Sequence, residues 1–153
     1  MSASSVGTLP TVAGGGVGDI EAIERLKARY CRTMDTKDWA AMRQVFTDDL
    51  VIDTTESGGN VVAGADDFMV FLQQMIGDVV TVHHCHMPEI EVTSATAASG
   101  TWAMEDMLRW SDGTELHGYG HYHEQYEKID GHWKIKRSTL TRLRMDFTGP
   151  AGE

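Results

Sequence analysis

The chain has 153 residues, with 13 Lys and Arg against 23 Asp and Glu and a formal net charge of −10. One domain is expected, long enough to bury roughly two thirds of the surface its unfolded chain exposes. The acidity argues against nucleic acid, whose partners carry a basic face. Nowhere do the ~18 consecutive apolar residues of a membrane span run together, so no membrane partner is expected. The first residues lack a basic start and an apolar stretch of signal-peptide length, which points to a cytoplasmic location. Cys31 and Cys85 show no metal-ligand spacing and are expected to be reduced thiols.

Residues 1–18 are rich in Gly, Ser and Thr and end in Gly14, Gly15, Gly16 and Gly18, which predicts a flexible tail. The domain is expected over residues 19–147, with a short C-terminal tail at 148–153. Ile20, Ile23, Leu26, Tyr30 and Met34 recur at steps of three and four, predicting an amphipathic helix with Asp19 as N-cap. Trp39, Met42, Val45 and Phe46 predict a short second helix, stopped by Thr47, Asp48 and Asp49. Two short strands, 50–54 and 61–63, flank the turn signal Ser57, Gly58, Gly59, Asn60. A third helix covers about 66–76. Four extended runs follow, near 80–92, 96–110, 115–129 and 132–147, separated by Thr93 to Ala95, by Ser111, Asp112, Gly113, and by Asp130, Gly131. Helices first and an antiparallel meander afterwards describe an α+β domain, a strongly curved sheet wrapped around helices as a cone-shaped barrel. A small apolar ligand would sit in the mouth of the sheet.

Five polar residues fall among apolar neighbours in these elements: Tyr30, Asp35, His83, Asp106 and Arg142. Alternation puts Asp106 on one strand face with Trp102, Met104, Leu108 and Trp110. A carboxylate there is paired, protonated, or faces a pocket that a substrate fills. Each residue also has a plainer reading. Tyr30 fits a core tyrosine on the Ile23, Leu26, Met34 stripe. Asp35 could pair with Arg32 on the surface, and Asp106 could be locked by Arg142 as a structural ion pair. Alternation groups His83 with Cys85 and Met87, and His84 with His86, without choosing the base between His83 and His84. His117, Tyr119, His121, His123, Gln125 and Glu127 share another face. His121 and His123 with Glu127 could in principle hold zinc, but their spacing is no recognised metal signature, and a polar wall or subunit interface is the expected role. Lys134, Lys136, Arg137, Arg142 and Arg144 form a basic cluster, read as a solvated face or as a grip for a phosphate-bearing carrier such as coenzyme A.

The stretches IEAIERLKARYCRTMDTKDW, VHHCHMPEIEV, SGTWAMEDMLRWSDG and HYHEQYEKIDGHWKIKRS resemble the SnoaL-like branch of the nuclear-transport-factor-two-like superfamily, and within it the bile-acid 7-alpha-dehydratases. The resemblance covers roughly residues 19–147. Carried over position by position, it implies a pocket lined by Tyr30, Asp35, His83, Asp106 and Arg142. The Asp–His pair is also similar to that of scytalone dehydratase and hexachlorocyclohexane dehydrochlorinase, which eliminate a leaving group. This fold also carries binding modules and association domains.

What the resemblance implies is a lyase without a cofactor or a metal, eliminating water from a hydrophobic cyclic hydroxy-ketone, steroid or polyketide-like. Histidine suits the base, because its ordinary pKa of about 6.5 leaves much of it neutral near pH 7. Asp35 would orient it, Tyr30 would donate to the carbonyl oxygen, Asp106 with a raised pKa would protonate the leaving oxygen, and Arg142 would hold the carboxylates. Met34, Trp102, Met104, Leu108, Tyr119 and His121 are the candidate substrate contacts. The expected partners are a small hydrophobic substrate, free or as its coenzyme A thioester, and further copies of the chain in a trimer or dimer. An isomerase, a hydrolase, or a non-catalytic binding module for an apolar metabolite are the alternatives.

Overall fold

The computed structural model describes residues 17–150. Helix α1 (Val17–Asp35) is followed by α2 (Trp39–Arg43), strands β1 (Phe46–Asp53) and β2 (Val61–Ala63), helix α3 (Ala65–Ile76), and strands β3 (Val80–Val92), β4 (Ala97–Arg109), β5 (Glu115–Ile129) and β6 (His132–Thr148). The strands form one sheet in the order β2-β1-β6-β5-β4-β3. β1 pairs with β6 in parallel and every other pairing is antiparallel, so the meander closes back beside the first strand. This is the expected α+β arrangement with one correction. β2 and β3 remain as two edges, so the sheet is open and not a closed barrel.

The apolar stripe read from the three- and four-residue spacing is the buried side of α1: Ile23, Leu26, Tyr30 and Met34 lie against the sheet. The covered sheet face comes from alternation, with Ala98, Trp102, Met104 and Asp106 on β4, Leu116, Tyr122 and Tyr126 on β5, and Trp133, Ile135 and Leu140 on β6. Burying each large apolar side chain contributes about 1.5–3 kcal/mol before chain entropy is set against it. On α3, Phe68, Met69 and Leu72 face the same core, and Phe46 meets Phe68 edge to face at 5.5 Å.

Several boundaries differ from expectation. Asp19 lies inside α1, not at its N-cap, and its carboxylate accepts hydrogen bonds from Lys128 Nζ (3.0 Å) and Trp133 Nε1 (2.9 Å), tying the helix start to β5 and β6. The second helix ends at Arg43. Phe46 opens β1, fully buried and in register with Ile135, because two adjacent apolar residues fit a strand beside β6 as well as a helix face. Met87 leaves the His83 and Cys85 face. A register shift between His86 and Glu89, with Met87 at φ 48, swings it out to 82% exposure. The expected tail at 1–18 falls almost wholly on residues 1–16, outside the described residues, as do 151–153 of the other tail. No helix among the described residues is long and apolar enough to cross a membrane.

A buried ion pair crosses the core. Lys27, 1% exposed, donates from Nζ to Glu124 Oε1 at 2.5 Å. Glu124 also accepts from Ser138 Oγ (3.1 Å) and Tyr126 Oη (2.7 Å), and Tyr126 Oη accepts from Trp102 Nε1 (2.8 Å). Full pairing of this kind is what lets a charged pair sit in an apolar interior.

Candidate active site

Asp35 is the last residue of α1, where the helix dipole disfavours an anion. Its carboxylate is held from β3 instead. Oδ1 accepts from Thr81 Oγ1 (2.9 Å) and sits 2.7 Å from His83 Nδ1, while Oδ2 accepts from the His83 backbone N–H (2.8 Å). Thr81 in turn accepts from Lys37 Nζ (2.9 Å), placed by the left-handed turn residue Lys37 at φ 60. Burial pushes the Lys37 ammonium below its ordinary value, and the charge of Asp35 works the other way.

With a carboxylate at Nδ1, the neutral His83 ring carries its proton there and leaves the Nε2 lone pair open. No hydrogen bond among the described residues occupies Nε2. The His83 side chain is 7% exposed and that of Asp35 is 21%. His84, the other candidate, is exposed on the opposite face.

Tyr30 stands one and a half helical turns before Asp35. Its ring packs edge-on against Phe46 (6.0 Å) and Tyr122 (5.7 Å). Lys27 Nζ lies over both tyrosine rings, 3.9 Å from the Tyr30 centroid and 3.7 Å from that of Tyr122. Burial holds both phenols well above their ordinary value, so both keep their protons as hydrogen-bond donors.

Asp106 and Arg142 form a bidentate pair, Nη1 to Oδ1 at 2.8 Å and Nη2 to Oδ2 at 2.9 Å, with side chains 4% and 8% exposed. Arg142 Nε also donates to Ser57 Oγ (2.7 Å), and its backbone N–H donates to Glu56 (2.7 Å) in the turn Thr55–Ser57. Both Asp106 oxygens face the guanidinium, so the geometry fits a structural ion pair better than the proton-donor role expected for Asp106. The pair depends on Gly118, where an added Cβ would lie 2.2 Å from Asp106 Oδ1 and 2.4 Å from Arg142 Nη1.

These groups border one apolar cavity of about 120 Å³. Tyr30, His83, Tyr122, Asp106 and Arg142 supply its polar rim, Met34, Leu108 and Leu140 its floor, and Phe68, Phe71, Leu72 and Ile76 of α3 its far wall. Asp35 stands behind His83 and does not line it. Of the candidate contacts, Met34 and Leu108 reach the cavity. Trp102 and Met104 lie deeper on the same face, Trp102 tied to Tyr126 and Met104 3.7 Å from Arg142 Nη1. Tyr119 and His121 are corrected outright. They alternate with Gly118, Gly120 and Tyr122 and therefore project from the opposite sheet face, where Tyr119 stacks on His117 at 4.9 Å.

Tyr122, Ser57 and the α3 wall were missed. Tyr122 was legible as the large aromatic on the alternate face of the same strand. Among the described residues no three His, Cys, Asp or Glu side chains converge as metal ligands, and Glu127 is taken by Lys136 (2.7 Å). Of the basic cluster, Lys136, Arg142 and Arg144 are paired to carboxylates.

The chain is similar to a probable cyclase of Gibberella zeae, 23% identical over 137 residues, 79% of this chain and 89% of the relative. A candidate aromatic ring hydroxylase from Novosphingobium aromaticivorans superposes with a TM-score of 0.81 at 23% identity, covering 89% of this chain and 96% of that one. A candidate scytalone dehydratase from the same species gives 0.77 at 23% identity over 90% and 95%. A hexachlorocyclohexane dehydrochlorinase from Novosphingobium barchaimii gives 0.75 at 18% identity over 90% and 93%. At these identities the structural likeness speaks for the fold. The SnoaL-like domain matches residues 17–139, and the chain belongs to that family.

Proposed function

We propose that this protein is a cofactor-independent, dehydratase-like lyase that removes water from a hydrophobic cyclic hydroxy-ketone. The observation that carries this reading is the His83–Asp35 pair at 2.7 Å, backed by Thr81 and a backbone N–H, with Nε2 left open beside an apolar cavity. A module that only stores an apolar ligand has no use for a carboxylate fixing the tautomer of a cavity histidine.

In this mechanism Nε2 of His83 takes the proton from the carbon next to the ketone, and Asp35 stabilises the imidazolium. The C–H electron pair moves toward the ketone, whose oxygen gains charge and is met by the Tyr30 and Tyr122 hydroxyls. The enolate then expels hydroxide from the adjacent carbon, and the proton on His83 Nε2 goes to that leaving oxygen as water. One histidine serves as base and acid, because Asp106 and Arg142 are committed to each other. Their pair instead keeps a dipolar wall in place.

An apolar cavity of about 150 Å³ takes one benzene ring, and pockets for drug-sized ligands begin near 300 Å³. At about 120 Å³, the cavity suits a single ring. A steroid or polyketide-sized substrate would require α3 to move outward with Phe71, Leu72 and Ile76. Three of the relatives, a candidate dehydratase, a dehydrochlorinase and a probable cyclase, support chemistry that starts with proton abstraction. The test is turnover of single-ring and fused-ring β-hydroxy-ketones by wild type and His83→Ala. Loss of activity in the variant is expected, and equal rates would remove the assignment.

A further inference from the structure

Cys31 and Cys85 are the two cysteines of the chain; both pack against the edge of the core, and the proposed chemistry uses neither. Cys31 lies on α1 one turn before Asp35, and Cys85 lies on β3 two residues after His83. Their Sγ atoms are 3.4 Å apart, within S–H···S reach. Both are half-buried free thiols. They border a solvent-open cleft of about 610 Å³ that shares His83 with the apolar cavity and is otherwise walled by Lys27, His84, His86 and Trp102.

We propose that Cys31 and Cys85 form a reversible oxidation site, closing to an intramolecular disulfide that clamps α1 to β3 beside the Asp35–His83 pair. A disulfide needs about 2.05 Å between sulfurs, so the two Sγ atoms must approach by roughly 1.4 Å, through side-chain rotation and a shift of the segments that carry them. β3 can supply that movement. It is an edge strand paired only with β4, and its register already breaks between His86 and Glu89. The two thiols are not equivalent. When Cys31 ionises, the Cys85 S–H donates to it, which holds the Cys31 thiol below its ordinary value, assisted by the charge of Lys27 against the opposing effect of burial. Cys85 is pushed up by that same hydrogen bond and by burial. With Cys31 as the attacking thiol, Cys85 lies 3.4 Å away and is placed to resolve the mixed disulfide.

The oxidant is a low-molecular-weight disulfide. The Cys31 thiolate attacks one of its sulfurs and expels a thiolate, giving a mixed disulfide. Cys85 then loses its proton, attacks Cys31 Sγ and expels the second thiolate. Both leaving thiolates take up the protons the two cysteines gave, so two electrons pass to the oxidant and one Sγ–Sγ bond forms.

The experiment equilibrates the native full-length chain with glutathione disulfide and follows intact mass and thiol alkylation. The expected product has lost two hydrogens, carries no adduct, has no alkylatable thiol, yields a peptide linking Cys31 to Cys85, and reverts with dithiothreitol. Cys85→Ser should stop at a glutathione adduct on Cys31. Two free thiols remaining in the wild-type chain, adducts on both cysteines, or only intermolecular dimers would each overturn the proposal. None of these readouts depends on turnover, so the result stands apart from the lyase reading.

Discussion

Gly118→Ala inverts the usual sign of a glycine substitution. Gly118 is not at positive φ, so alanine fits its backbone, and such a change ordinarily stabilises by about 0.4–1 kcal/mol through the unfolded chain. Here the added methyl would lie 2.2 Å from Asp106 Oδ1 and 2.4 Å from Arg142 Nη1. Both groups must retreat by about 1 Å, which costs roughly 1–3 kcal/mol as overpacking. The retreat breaks at least one of the bonds now at 2.8 and 2.9 Å. Opening a buried pair altogether costs about 3–5 kcal/mol. The expected net loss is about 3 kcal/mol, or roughly 6–12 °C in Tm at 2–4 °C per kcal/mol. Urea unfolding followed by circular dichroism reads it directly. In a cycle with Arg142→Met, the alanine should cost less once the guanidinium is gone. A neutral or stabilising Gly118→Ala would refute the contact and the pairing built on it.

Three further outcomes follow. Lys27→Met strands Glu124 in the core, and the expected loss is about 3–5 kcal/mol, with part recovered by adding Glu124→Leu; a loss below about 1 kcal/mol in chemical denaturation would contradict the buried network. Burial raises the Tyr30, Tyr122 and Tyr126 phenols, so the folded chain keeps protons that the unfolded chain releases. Their contribution to stability is full below the ordinary phenol value of about 10 and declines as pH rises past it. Three of the 4 tyrosines should then ionise only with unfolding in an alkaline absorbance titration, and ionisation of any of them in the folded chain would contradict their burial. We also propose that the chain is a dimer or trimer, as family resemblance implies; Val80, Val82 and Met107 form an apolar outer patch in register across β3 and β4 for it to cover, and light scattering showing a monomer at micromolar concentration would contradict this.

Periodicity carried most of the fold. The stripe from Ile23 to Met34, the α3 helix and the four long strands could be read because each repeats one period over many residues and is bounded by short polar or Gly-containing turns. Short signals failed where two periods agree, as at Val45 and Phe46. Alternation divided β5 into two faces without saying which was covered. The face with Tyr119 and His121 held more large side chains, whereas its opposite held Gly118, Gly120 and Glu124, a poor core by composition. Glu124 is nevertheless buried, because Lys27 reaches it from 97 residues away along the chain. That partnership is invisible to any local pattern. The same holds for Ser57, which touches Arg142 only through the fold, and for the α3 wall, which reads as ordinary core.

The proposed function makes His83 a base toward a carbon acid bound in the cavity. Exchange of the hydrogens next to the carbonyl of a single-ring ketone lacking any leaving group, followed by NMR in deuterium oxide, isolates that step from elimination. Wild-type protein should accelerate the exchange and His83→Gln should abolish the acceleration, with Asp35→Asn weakening it. Exchange in the His83→Gln variant at the wild-type rate would contradict the account.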